Sequence, residues 1–503
     1  MNKELNPIIV GAAQYTQPKK TPQGLDPLNL MVKTGQMALT DVGTDDIKEF
    51  IDSIYMININ SWSYEDAPSE LSKILGIKPV QKVYLPDGGN TPQMLVNRAA
   101  KAISSGKSQA ILITGAEAKY STYRANMRKT ILNWPKRKNP KYMEGKLWNG
   151  INEFENKYKL IFPSCSYAIF ETAIRAASGR SLEEHKRYIG ELFESFAKIA
   201  SKNPNSWTKK TYTAKEITTA TPENRNINYP YTKRMCSNMF VDQAATLIMT
   251  NEEIAEKFKI DKKRWVYLMG GTDLKNIHDI TRRPQLHDSP ASREGSRLVL
   301  DQAGLTLENI DKFDLYSCFP SIVEIMMKEI GIPEDDTRDL TVTGGNPFFG
   351  GPLSNYTLHA IITTINLIRK NPSLKIMVVA NGGYNTKQSF GIYGTEPPIK
   401  LWDERDDAKI QQSILAQILP EPIEEANGQL TIEAYTFVYD RKGNPRRGIV
   451  IGHLENGRRT LANIEAKTEV LLNLEQQELV GQTFPVHFDY NISCNVISIT
   501  DHN

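Results

Sequence analysis

Thr343-Gly344-Gly345-Asn346-Pro347-Phe348-Phe349-Gly350-Gly351-Pro352-Leu353 places four glycines in eight positions and runs the last pair into a proline. Glycine leaves the backbone loose and proline removes a hydrogen-bond donor, so neither a regular helix nor a central strand is expected here. The stretch predicts a loop where main chain comes close to a ligand or to a facing loop. Beyond it, Leu358, Ile361, Ile362, Ile365 and Ile368 recur at helical spacing and predict a helix over 353–368. Lys375-Ile376-Met377-Val378-Val379-Ala380 reads as a buried strand, closed by the turn Asn381-Gly382-Gly383. Loop, helix, strand and second glycine turn make one functional edge of an α/β sheet.

The same order occurs earlier in the chain. Asp87-Gly88-Gly89-Asn90 ends a strand, 91–104 reads as a helix with Thr91 as a plain capping residue, and 109–115 reads as a strand. Gln36 to Gly43 followed by Ile51-Asp52 is echoed by Arg297 to Gly304 followed by Ile310-Asp311. A long-period repeat of helix, strand, loop, helix and strand predicts two similar α/β halves, with a ligand where their loops converge.

A chain of 503 residues with 40% apolar and 24% charged residues is expected to hold more than one domain. The net charge of +3 gives no case for nucleic acid as a partner. Cys165, Cys236, Cys318 and Cys494 form no CxxC pair, which argues against a zinc ribbon or disulfide framework and for a reducing compartment. No signal-peptide pattern and no apolar run of membrane-spanning length is visible, and a cytoplasmic location is expected. No metal site is expected.

Between the halves lies a stretch rich in cations and aromatics: Arg124, Arg128, Lys129, Trp134, Lys136, Arg137, Lys138, Lys141, Tyr142, Lys146 and Trp148. It reads either as a solvated excursion or as a surface for a phosphorylated, adenine-bearing ligand. Within it, 181–200 carries an amphipathic helical stripe that core packing explains. After a charged linker at 402–407 and a helical patch at 410–418, alternating strands such as 430–439 and 447–454 predict a separate barrel-like β domain.

These features resemble the thiolase superfamily. Gly344-Gly345-Asn346-Pro347-Phe348-Phe349-Gly350-Gly351-Pro352 is similar to its GGxxxxGHP loop, and Phe240-Val241-Asp242-Gln243-Ala244-Ala245 to its NDGAAA-type strand. Tyr316-Ser317-Cys318-Phe319 resembles the HDCF variant of sterol carrier protein-linked thiolases. Tyr435 to Arg441 and Arg447 to Gly452 resemble the additional C-terminal domain of thiolase-like protein type 1.

The resemblance implies a duplicated thiolase fold in α-β-α-β-α layers plus a small C-terminal β-rich domain. The segments are 1–118 with 228–270 as the first half, 119–227 as an inserted loop region, 271–400 as the second half and 401–503 as the added domain. It also implies an acyltransferase of the acetyl-CoA acetyltransferase type in lipid metabolism, with CoA or acyl-CoA as ligand and no other cofactor. A homodimer and a protein partner are both compatible with it.

The implied chemistry needs a Cys nucleophile at a helix N-terminus, a His to take its proton, a second Cys as acid/base, and an Asn or His for the oxyanion. Those positions hold Gly89, Gly351, Ala380 and Tyr316. The resemblance therefore implies a degenerate site without ordinary thiolase activity. Asn90, Ser317, Cys318, Asn346, Gly350, Asn381 and Gly382 are the pocket or substrate-binding candidates, and His359 reads as packed. The alternatives are a scaffold subunit engaging a partner through the β domain, or an acyltransferase with relocated chemistry through Cys318.

Overall fold

The structure, a computed structural model, describes residues 5–145, 150–402 and 407–499. Lys146, Trp148 and most of the charged linker lie outside the described residues. Nine strands form one sheet: β1 (Pro7–Thr16), β2 (Ile51–Met56), β3 (Gln81–Tyr84), β4 (Ala110–Ala118), β5 (Asp242–Asn251), β6 (Val266–Lys275), β7 (Lys312–Leu315), β8 (Ile376–Gly382) and β9 (Lys387–Gly394). Their order is β3-β2-β4-β5-β1-β6-β9-β8-β7.

The duplication is explicit in the pairing. Outward from the centre, β1 to β5 and β5 to β4 are antiparallel and β4 to β2 is parallel. The run β6, β9, β8, β7 repeats that sequence of senses. The counterpart of β3 is extended chain beside β7, where Asp339 and Leu340 carbonyls accept from Phe313 and Leu315. The halves join where Ile8 and Ile9 of β1 face Tyr267 and Val266 of β6.

Two glycines allow matching helices to lie close on the sheet. A Cβ on Gly11 would stand near the Ala38 carbonyl of the helix Pro27–Val42, and one on Gly270 near the Val299 carbonyl of Pro290–Ala303. On the other face, helices Thr91–Ser104 and Tyr356–Lys370 pack together over a dry layer that includes Leu95, Val96, Ile361, Ile362, Leu247 and Val378. The β6 strand runs across the expected 270/271 boundary and pairs with β9.

The residues 119–227 are not an irregular excursion. They include the helices Lys119–Arg128, Pro163–Ser178 and Leu182–Lys202, the last opened by a Ser181/Glu184 capping box. Pro163–Ser178 is buried from Cys165 through Ala173 because the core and the C-terminal domain both cover it. Residues 129–145 run along the sheet edge, where Glu144 N–H donates to the Tyr84 carbonyl at 2.8 Å and Lys141 N–H to Glu65 at 2.8 Å.

The C-terminal strands β10 (Gly428–Tyr439), β11 (Pro445–Leu454), β12 (Arg459–Glu465), β13 (Thr483–Asp489) and β14 (Cys494–Ser498) close into a small barrel, since β10 pairs with both β11 and β13. Its interior holds Leu430, Ile432, Phe437, Val450, Leu471 and Ile497. The short strand Asn226–Asn228 attaches to β10 opposite Val438.

Candidate functional site

The glycine-rich stretch is fixed from below by one buried carboxylate. Asp314, at the end of β7, accepts from the Val342 and Thr343 N–H groups at 2.9 and 3.1 Å and from the Thr341 and Tyr356 hydroxyls. Burial pushes its carboxyl up, and those donors oppose the shift. Gly344 and Gly345 then take left-handed φ values of 106° and 77°, and one helical turn, Gly345–Phe348, follows directly on the Gly344 cap. A Cβ on Gly344 would strike Ala200, so the close approach is to a facing helix.

Opposite lies the Gly88-Gly89 loop. Gly88 N–H donates to Ser354 Oγ at 3.1 Å, Gly89 C=O accepts from Thr357 Oγ1 at 2.9 Å, and the helix Thr91–Ser104 starts immediately after. Asn90 rather than Thr91 is the N-cap residue, and its side chain makes no cap bond. Between the loops lies a cavity of about 1540 Å³, and Gly89, Tyr316, Cys318, Gly351, Asn381 and Gly382 are on its wall.

The floor of this cavity is closed at Gly89. An ideal Cβ built on Gly89 falls 2.7 Å from Tyr316 Cζ, and closer still to the Tyr316 hydroxyl and the Asn381 carbonyl oxygen. Tyr316 is held by its N–H bond to the Val379 carbonyl and by edge contact with the Tyr356 ring at 5.5 Å. Burial pushes its phenol well above the usual range, and the neighbouring Cys318 adds to this. A Cβ on Gly351 would land on the Ser237 hydroxyl. Ala380 is fully buried in β8, paired with Ser389 one residue before the cavity-lining Asn381.

Four expected pocket residues ring the cavity without reaching it. Asn90 Nδ2 turns to Ser389 Oγ at 3.1 Å. Ser317 and Asn346 tie each other down, Asn346 N–H donating to Ser317 Oγ at 3.1 Å and Ser317 N–H to Asn346 Oδ1 at 3.2 Å. Gly350, at φ 115°, has no room for a Cβ, which would meet the Gln243 side chain. The Asn90, Ser317 and Asn346 side chains answer to neighbours rather than to the space between the loops. His359 is buried against Gln14 and Phe349, and burial pushes it down to about 3. Cys318 does reach the wall, but burial pushes its thiol up to about 12, which keeps it protonated at neutral pH.

Sequence reasoning missed three groups of the wall, one from the insert and one from each half. Tyr167 hydroxyl accepts from Asn381 Nδ2 at 2.7 Å and from Asn385 N–H at 3.3 Å, with its ring stacked on Phe319. Ser237 sits between the Cys318 and Asn346 loops, where its N–H donates to the Cys318 carbonyl at 2.9 Å. The polar run Cys236-Ser237-Asn238 before β5 was the one sequence signal for it. Lys387, also on the wall, donates to the Asp87 carbonyl at 3.2 Å, and burial pushes its amine down.

The mouth is aromatic and cationic, but not through the cluster expected to form it. Lys138 and Lys141 pair with Glu65, and Arg137 lies over Trp62 at 4.0 Å, all at the sheet edge. None of the described members of that cluster is on the cavity wall. The wall's cations include Lys19 over Trp207, Arg225, Arg234 over Tyr212 at 4.4 Å, and Arg441 from the barrel.

Known proteins place this arrangement. The family described as thiolase-like protein type 1 additional C-terminal domain matches residues 409–491. A monomeric SCP2-thiolase like protein type 1 from Mycobacterium smegmatis is 31% identical, with 99% of this chain and 100% of that one covered and a TM-score of 0.85. A structure described as Ltp2-ChsH2(DUF35) aldolase is similar at 17% identity and TM-score 0.60, over 78% of this chain and 98% of that one. Human mitochondrial 3-ketoacyl-CoA thiolase in complex with CoA is similar at 16% identity and TM-score 0.55, over 78% and 99%. No curated protein sequence matches the chain. Among the described residues no helix is long and apolar enough to cross a membrane.

Proposed function

The chain belongs to the SCP2-thiolase-like protein type 1 family, and on that premise we propose that it binds CoA or an acyl-CoA above Gly89 without running the covalent thiolase cycle. The observation that carries this reading is the space at Gly89, which the Tyr316 ring and the Asn381 carbonyl already occupy. A thiolase cycle needs a thiolate at that point, a base at the Gly351 position and a second thiol at the Ala380 position. Cys318 is a poor replacement nucleophile, because burial holds it as a thiol.

Ligand binding is supported by the mouth. Arg225, Arg234 and Lys19 with Trp207 and Tyr212 offer cations to phosphates and flat faces to an adenine. The thiolase fold solved with CoA supports the same ligand class. Residues 129–145, bonded along the sheet edge, favour a monomer over the homodimer. Light scattering is therefore expected to give a mass near 56.8 kDa, and twice that value would remove this point.

Calorimetry is expected to show one site for CoA and for a medium-chain acyl-CoA. Arg234→Ala is expected to weaken CoA about tenfold or more, the loss of one charge-assisted hydrogen bond. Acetoacetyl-CoA with CoA is expected to give no turnover above background. Silence with every ligand would favour the scaffold reading, in which the barrel engages a partner protein. Clear turnover would mean that the site carries its own nucleophile.

A further inference from the structure

Behind Tyr167 and Phe319, three helices bring together Glu171 (Pro163–Ser178), His185 (Leu182–Lys202) and Glu324 (Pro320–Ile330). None is more than 6% exposed. One ligand-capable atom from each lies within 4.8 Å of the other two. His185 Nε2 stands 2.7 Å from Glu171 Oε1 and 4.0 Å from Glu324 Oε1. Glu324 Oε1 is buried and no donor reaches it, and the Glu324 and Glu171 carboxyls lie within hydrogen-bond reach of each other. An unpaired carboxylate oxygen in that position calls for a proton or a cation.

The outward atoms are already held. Tyr231 hydroxyl donates to Glu171 Oε2 at 2.6 Å, and Arg180 Nη1 lies 3.2 Å from Glu324 Oε2 and 3.3 Å from His185 Nδ1. Tyr231 on Glu171 and Arg180 on Glu324 are far-side partners of the kind that orient metal-binding carboxylates, whereas the Arg180–His185 contact is one that an ion on Nε2 would break. Arg180 is also shared with Glu334, which is largely exposed. It therefore does not neutralise two buried carboxylates, and a divalent ion would.

The geometry points to a divalent transition-metal site in which Glu171 Oε1, His185 Nε2 and Glu324 Oε1 bind one Zn²⁺-class ion. One imidazole and two carboxylates suit zinc or manganese, with bonds of about 2.0–2.2 Å. Ligand atoms in a tetrahedral site of that size lie roughly 3.3 Å apart, so the 2.7 Å gap opens and the 4.0 Å gap closes by under 1 Å. Both glutamates bind as carboxylates, so any proton held between them leaves to solvent on binding. The imidazole proton moves from Nε2 to Nδ1, so Arg180 keeps Glu324 and Glu334 and gives up the ring. The ion would brace the helix that follows the Tyr316–Phe319 loop on the cavity floor.

The test uses the full chain, stripped with EDTA, desalted, and titrated with Zn²⁺ and separately with Mn²⁺. Elemental analysis after desalting should find one Zn²⁺ per chain, and the melting temperature should rise with free Zn²⁺. Glu324→Gln keeps the shape and the contact to Arg180 through its carbonyl oxygen, and should lower zinc affinity at least tenfold while remaining folded. A wild-type chain that retains no zinc and shows no thermal shift overturns the proposal. So does a Glu324→Gln chain that loads as wild type does, since the zinc would then lie elsewhere.

Discussion

Gly89→Cys is expected to melt below the wild-type chain and to show no sustained thiolase turnover. The first effect follows from packing. The new Cβ would stand 2.7 Å from Tyr316 Cζ and against the Asn381 carbonyl, and Sγ needs further room. Asn381 O is main chain in β8, and the Tyr316 ring is wedged against Tyr356. Overpacking of this kind costs about 1–3 kcal/mol. The second effect follows from chemistry. A thiol that did fit would gain thiolate character from the N-terminus of Thr91–Ser104. It would still lack the base at Gly351 and the acid/base thiol at Ala380, and groups that act as a unit are strongly non-additive.

An activated thioester should therefore acylate the variant slowly, seen as a mass increase without further product. Gly89→Cys, Gly351→His and Ala380→Cys together form the smallest set with a route to turnover, but the second must also displace the Ser237 hydroxyl. A thermodynamic cycle separates the two causes. Tyr316→Ala should cost less stability in the Gly89→Cys background than in the wild type, because it removes the clash. Equal costs would show that Tyr316 does not occupy the nucleophile's space. Repeated turnover by the single variant would show that acid/base catalysis is already present, with Cys318 the first residue to replace.

The duplicated halves were legible because their punctuation repeats. The helices Pro27–Val42 and Pro290–Ala303 both end on left-handed glycines, Gly43 and Gly304. Each half then runs through a short 3₁₀ turn into a parallel strand. The barrel was legible from alternation in β10. The helix Pro163–Ser178 was not, because burial on nearly every side erases the amphipathic stripe that marks a surface helix. It carries Tyr167, Glu171 and Thr172, so the cavity's far wall and the three-helix cluster went unseen with it.

Residue positions were easier to read than side-chain directions. The loops of Gly89, Tyr316, Gly351 and Asn381 do meet at one cavity. Whether an asparagine on such a loop points inward depends on partners far away in sequence. Ser389 turns Asn90 aside and Ser317 holds Asn346. In the same way, the run of cations at 136–141 was visible, but Glu65 and Trp62, which draw it to the sheet edge, lie some seventy residues earlier.

Arg459→Ala is expected to destabilise the chain by about 3–5 kcal/mol, the scale for breaking a buried ion pair by removing one partner. Arg459, in β12, is 5% exposed. Its guanidinium grips Glu433 through Nε at 2.9 Å and Nη2 at 2.8 Å. Its remaining N–H groups donate across the interface to the Thr281, Arg283 and Pro284 carbonyls of the second half. One side chain thus satisfies a carboxylate of the barrel and main-chain acceptors of the core. Alanine removes the donor to those carbonyls, and among the described residues Glu433 keeps only His453, at 3.0 Å, as a counter-charge. His453 is partly exposed, so that pair is screened and makes up little of the loss. Arg459→Lys should recover only part of the stability, because an ammonium cannot reproduce the bidentate fork and reach the carbonyls together. Denaturant unfolding of the three proteins gives the ranking, wild type above Lys above Ala. Equal midpoints for wild type and Ala would show that the barrel is held by its apolar contacts and the Asn228–Val438 strand pairing, with Arg459 a spectator.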